Sequence, residues 1–537
     1  MGQVLFWIEA AITATLFVAL GVVLLVRIKR TWARRILGTA WGIVALLPWV
    51  VVIGGFGAVE FLTGGAMFPL VCSSVAAGLF VVAAIVAILR GRRRPAADEP
   101  RQASRWRVDR LLLAIAAGVL ITCMTYWNLD LAARQEMATM QVEVGTIALS
   151  VAPPQIPDSQ NAALLYRQSW EILDAENEKW GNTVAEWLIP DKGKGEFDPN
   201  NVQMLAFLNK QAGVIDLLHK AGQLPGCNFG TDYSQPSFTT LMPNLVKPRN
   251  LSRLLCLSAR VNAHQGNMAE AMKDLSTCFA MAQHVTAEPP LIACLVGCGW
   301  EELATETLQY VLSQGTPSAK DFSELKINGL FSFSPAFHRS MRMEKAFGLS
   351  FFVDPRPFPG EFRVPITGHI GPGAFSPYRV FLLKADMTAY MRCLQRYDVL
   401  SGKPYYESMK EWKEAANQIG RTKRRGGLFA AFLMPTFSKV AEMVAIADAR
   451  HRLDVLAVAM CSYRDGHKAF PADLGSLVPK YTLSAPVDPF TGQGMKLARN
   501  SEGQVVIYSV GPDLEDNGGT PYDKQTRKGD VSLVLGK

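Results

Sequence analysis

Signatures of catalysis are missing from this 537-residue chain. It has no His-Glu-x-x-His, which excludes the zinc-hydrolase helix, and no Gly-x-Ser-x-Gly, which excludes a nucleophile elbow. It has no Gly-x-x-x-x-Gly-Lys to cradle phosphates and no Cys-x-x-Cys to hold a metal or run a redox pair. Histidine is scarce, and the seven present are scattered. His264 and His284 bracket one helical hairpin, a placement more typical of packed or surface residues than of ligands. Cysteine is scarce too, with nine in all. Seven lie after Asp130, an odd number, so an oxidising compartment would leave at least one unpaired. Cys294 and Cys298 share a helical face, but two soft ligands do not make a tetrahedral zinc site. The cysteines read mostly as small buried apolar side chains.

Charge is thin as well: 19% of residues are charged and 49% are apolar, a high apolar share for a soluble protein. The cause is local. Leu5 to Val26, Ile36 to Leu62, Ala66 to Leu89 and Leu111 to Leu129 are apolar runs, each near the ~20 residues that cross a bilayer as a helix. Arg27 to Arg35 and Arg90 to Arg110 form two Arg-rich loops, whereas Thr63 to Gly65 carries no basic residue. The positive-inside rule then predicts four transmembrane helices over residues 1–130, with both Arg-rich loops cytoplasmic. The lipid bilayer would be a partner, and the chain after about residue 130 would lie outside a bacterial cytoplasmic membrane. Residues 1–137 hold 14 Lys and Arg against 7 Asp and Glu, while the remainder is nearly balanced. The basic excess therefore marks topology, and nucleic acid is not implied as a partner.

Beyond the runs, residues 131–160 read as a linker, with Val142 to Pro157 an extended arm. Residues 161–436 read as a mainly α-helical extracytoplasmic domain. Leu164, Leu165, Gln168 and Ile172 form one helical stripe, Gln203 to Leu218 another amphipathic helix, and Leu251 to His284 a hairpin turning at Gln265-Gly266-Asn267. Helices follow at Leu291 to Leu312, Phe337 to Phe351, Val380 to Val399 and Met409 to Ile419. Between them, residues 354–379 are too rich in Pro and Gly for a helix.

Residues 437–537 change character. Leu453, Leu456, Met460 and Tyr463 recur at helical spacing, with Asp448, Arg450, Arg452, Asp454 and Arg464 as charged positions around them. Three β-prone runs follow, Met495 to Ala498, Gln504 to Ser509 and Val531 to Leu535. Between the last two lies the acidic loop Gly511-Pro512-Asp513-Leu514-Glu515-Asp516-Asn517-Gly518-Gly519. Asp513, Glu515 and Asn517 alternate like half of an EF-hand loop, but Lys524 stands at the twelfth position, which excludes that motif.

Three features in combination give this stretch a relative: Tyr463-Arg464 followed by Phe470-Pro471, the turn Pro486-x-Asp488-Pro489-Phe490, and Tyr508-Ser509-Val510-Gly511-x-Asp513 entering the acidic loop. The order resembles the globular domain of the major pseudopilin of type II secretion systems. The likeness covers less than a fifth of the chain. It departs from the family at the N-terminus, where Gly2 and Glu9 stand at the wrong distance and no basic leader precedes them. The resemblance implies a small α+β fold. It also implies a calcium ion held by Asp513, Asp530 and the backbone near Val510, with Asp516 offering a further oxygen. A solvated Asp/Asn/Gly turn is the alternative for this loop.

Two functions are open on the sequence. One is a non-catalytic, membrane-anchored scaffold or interaction protein of a bacterial envelope, associated with a secretion or surface assembly and meeting protein partners outside the membrane. The other is an extracytoplasmic enzyme using Glu301, Glu302, Glu306 and Glu344 as acid and base. No catalytic residue is assigned.

Overall fold

The structure is a computed structural model. It describes residues 131–188, 197–234, 245–353 apart from 316, 328 and 330, 383–423 and 437–536, with 124, 128 and 236. The chain falls into two compact units, Met1–Met140 with Phe352–Asp386, and Gln141–Phe351 with Met387–Lys537. In the first, the described residues are helical, and Lys384 meets Glu136 at 3.6 Å.

One expectation is corrected. No helix among the described residues is long and apolar enough to cross a membrane. This runs against the multi-pass membrane anchor and against the placement in a bacterial cytoplasmic membrane. The four apolar runs, apart from Met124 and Asn128, and their Arg-rich loops lie outside the described residues, as does the Pro/Gly-rich stretch 354–379. The long helices that are described carry ionisable residues in mid-length. Glu301, Glu302 and Glu306 interrupt one, and Asp448, His451 and Asp454 another; such groups are costly in hydrocarbon.

The second unit is built of helices and one small sheet. Residues 131–151 are helical rather than an extended arm, and the backbone leaves the helix just before Pro153-Pro154. Helix α1 (Ala162–Glu176) starts at Asn161, whose side chain caps the Ala163 amide. Helices α2 (Trp180–Leu188), α3 (Val202–Lys210) and α4 (Ala212–Gly222) follow. The expected single helix over Gln203 to Leu218 is thus two, broken at Gln211. Helices α5 (Val246–His264) and α6 (Met268–Val285) form the hairpin, and α7 (Leu291–Gln314) returns against both. The short α8 (Ala319–Phe322) is closed by a Ser318/Asp321 capping box. Then come α9 (Ser334–Val353), α10 (Leu383–Ser401) and α11 (Tyr405–Lys423).

Helix α12 (Phe437–His467) organises the C-terminal part. It packs on α7, α8 and α11 and on the sheet β1 (Lys496–Arg499), β2 (Val505–Ser509), β3 (Val531–Gly536). The sheet is an antiparallel meander in the order β1-β2-β3, and each strand lies within one residue of its β-prone run. The central strand β2 is buried at every position, whereas β3 alternates buried Val531, Leu533 and Leu535 with half-buried neighbours. Leu453, Leu456 and Met460 of α12 are buried, as their spacing requires.

Candidate functional site

Among the described residues, a set of buried ionisable side chains lies where α7 meets α12. Glu301 and Thr305 sit one turn apart on α7, and Asp448, His451 and Asp454 recur every third residue on α12. His451 Nδ1 and Glu301 Oε1 are 2.6 Å apart, with the two residues 1% and 0% exposed. The Thr305 hydroxyl donates to Asp454 Oδ2 at 2.6 Å, and Asp454 is also 0% exposed. Burial, reinforced by the charge of Glu301, holds the Asp454 carboxyl well above the usual carboxylate range. Glu301 Oε2 and Asp454 Oδ1 have no hydrogen-bond partner among the described residues.

The seam continues in both directions. Asp448 accepts the Phe333 amide at 2.6 Å and the hydroxyls of Ser332 and Ser334 at 2.9 and 2.7 Å. This anchors the start of α9. Glu302, beside Glu301 but half-buried, meets Arg450 at 2.6 Å and Lys524 at 2.8 Å. Farther along α7, Gln309 reaches the sheet edge. Its Nε2 donates to the Val534 carbonyl at 2.9 Å, and its Oε1 accepts from the Val534 amide at 2.8 Å. A side-chain amide thus takes the place of a fourth strand beside β3 and closes an edge open to pairing.

The four glutamates expected to act together are therefore divided. Glu301 is sealed on His451, Glu302 is ion-paired, and Glu306 is exposed. Glu344 lies on α9, where it accepts the Leu291 amide at 3.2 Å, and desolvation pushes its carboxyl up to about 7. The sequence does not reveal Asp448, His451 and Asp454 as a set; there the two aspartates are only charged positions around the apolar stripe. The available signal was their repeat of three on α12 matched by an i, i+4 pair on α7.

The acidic loop is closed by hydrogen bonds. Asp530, fully buried, accepts the Gly519 amide at 2.6 Å and the Asn517 amide at 3.3 Å. Asp513 accepts the Gly529 amide at 2.8 Å, the Glu515 amide at 3.1 Å and Asn517 Nδ2 at 3.2 Å. Asp516 turns to Lys496 at 2.6 Å and also accepts the Tyr508 hydroxyl at 3.1 Å. The amide of Val510 goes to Asp488 at 3.0 Å. Gly529, at φ +102°, has no room for a Cβ, which would meet the Pro521 carbonyl at 2.6 Å. Burial raises the Asp530 carboxyl against these amides, with the charges of Asp516 and Asp513 adding to the rise. Asp513 and Asp530 do come together through Asn517, but Asp516 is held by a lysine. No three His, Cys, Asp or Glu side chains among the described residues are grouped to hold a metal ion. In this arrangement the carboxylates are engaged by amides and a lysine, where a calcium shell takes six to eight oxygens.

No family model matches the chain, and neither a curated protein nor a solved structure matches it.

Proposed function

We propose that this chain is a non-catalytic interaction protein, in which a pseudopilin-like module built into a helical body serves as a scaffold for protein partners of a secretion or surface assembly. One observation carries the reading. The acid and histidine side chains that cluster between α7 and α12, Glu301, His451 and Asp454, are 0%, 1% and 0% exposed. A general acid or base must touch its substrate, and these groups touch the opposite helix. The likeness of residues 437–537 to a pseudopilin supplies the partner class. It is supported by a long helix followed by a three-stranded antiparallel meander with an acidic loop before the last strand.

The surface offered to a partner is the connection between α12 and β1. It exposes Val478, Val487 and above all Leu483, which is 79% exposed. Apolar side chains grouped in one exposed loop mark contact surfaces more often than isolated ones do. The experiment is a binding titration of the full chain against purified pseudopilin-type subunits, by biolayer interferometry, with Leu483→Asp in parallel. Saturable binding that weakens at least tenfold in L483D is expected. Absence of binding by the unaltered chain, or equal binding by both, would contradict the reading.

A further inference from the structure

Seven cysteines are described, and none is in a disulfide. Two of them form a pair that spans two helices. Cys256 on α5 and Cys278 on α6 have their Sγ atoms 3.6 Å apart, in contact across the hairpin, and both residues are fully buried. The second close pair, Cys294 and Cys298, lies on a single helix, α7. Side chains one turn apart have Cβ atoms about 5–6 Å apart, beyond the ~3.5–4.5 Å that a disulfide allows. Cys256 and Cys278 come from two helices and escape that restriction.

The surroundings of the two thiols differ. Burial alone would raise Cys256, but hydrogen bonds from Cys278 and Thr307, with the Arg260 guanidinium, offset it and hold the thiol below its ordinary value. Cys278 is pushed well above the ordinary value by burial and by the hydrogen bond to Cys256, and its thiol reaches the Ser252 carbonyl at 3.7 Å. The two thiols thus differ, Cys256 being the readier of the two to give up its proton.

We infer that Cys256 and Cys278 are a redox-active pair that closes to a disulfide across the α5–α6 hairpin when the chain meets a hydroperoxide. The Cys256 thiolate attacks the peroxide O–O bond and becomes a sulfenic acid, and the departing oxygen takes up a proton and leaves as water. The Cys278 sulfur then attacks the Cys256 sulfur. The S–O bond breaks as the S–S bond forms, and the thiol proton leaves with the hydroxyl as a second water. Two thiols and one hydrogen peroxide become one disulfide and two waters, the two electrons passing from sulfur to peroxide oxygen. Hydrogen peroxide is small and neutral, which suits a pair with no exposed surface.

The test uses the full chain, purified reduced and treated with graded hydrogen peroxide under native conditions. It is then denatured and alkylated with N-ethylmaleimide. The intact mass should show seven adducts in place of the nine that the nine cysteines give when reduced. Peptide mapping should link Cys256 to Cys278, and dithiothreitol should restore nine adducts. A Cys278→Ser variant, lacking the second thiol, should accumulate a dimedone adduct on Cys256 under the same treatment. Nine adducts after peroxide, or a linked peptide joining a different pair, would overturn the inference without reliance on any variant.

Discussion

Glu301 and Asp454 are carboxylic acids in the same seam, and they should respond differently to substitution. Glu301 has a histidine at 2.6 Å, and breaking a buried pair by removing one partner costs about 3–5 kcal/mol. Asp454 is held in its neutral form by burial and by the charge of Glu301. Asparagine reproduces that neutral shape. Asp454→Asn should therefore change unfolding stability by less than about 1 kcal/mol, and Glu301→Gln should lower it by about 3 kcal/mol or more. Urea unfolding of the two variants checks this; equal losses would contradict it. Glu344 supplies a pH test. Its folded value of about 7 lies above that of a free carboxyl group, so its contribution is present in full below the free value and is lost as pH rises through about 7. Glu344→Gln is neutral at every pH. The melting temperature of that variant, taken relative to the unaltered chain, should rise steadily from about pH 5 and level off above about 7. A flat difference would contradict the assignment.

Elements differed in how far they could be read from sequence. The α5–α6 hairpin and the three strands were legible, because the turn at Gln265-Gly266-Asn267 and the β-prone runs are local signals. The inner polar face of α12 was not. The partners of His451, Asp454 and Asp448 stand 150, 149 and 115 residues away in the chain. Charged letters on a helix carry no mark of such distant acceptors and donors. The amides around the acidic loop were hidden for a related reason: spacing shows which carboxylates are near, not which amides they accept. A loop closed by the Gly519 and Gly529 amides should melt at the same temperature in millimolar calcium and in chelator, read by scanning calorimetry. A higher melting temperature in calcium would restore the metal. The sheet edge offers a second test. Removing the Gln309 amide in Gln309→Ala leaves the Val534 amide and carbonyl without their partner, which should cost about 1–3 kcal/mol. A loss below about 0.5 kcal/mol in urea unfolding would show that the edge does not depend on it.

At the scale of the molecule, residues 437–536 do not stand apart from the helices before them. Both lie in the unit formed by Gln141–Phe351 and Met387–Lys537. The fastening is polar as well as apolar: Glu301 on His451, Thr305 on Asp454, Asp448 on the start of α9, and Gln309 on β3. Side chains that resemble a reaction centre by composition thus hold two parts of one fold together. Amide hydrogen exchange on the full chain, read by mass spectrometry and compared with Glu301→Gln, tests this most directly. Peptides from α7, α12 and β3 should all exchange faster in the variant, by one common factor on the order of 100-fold for a loss of about 3 kcal/mol. Sheet peptides that exchange at an unchanged rate of their own, while α7 alone loosens, would contradict a single fastened unit.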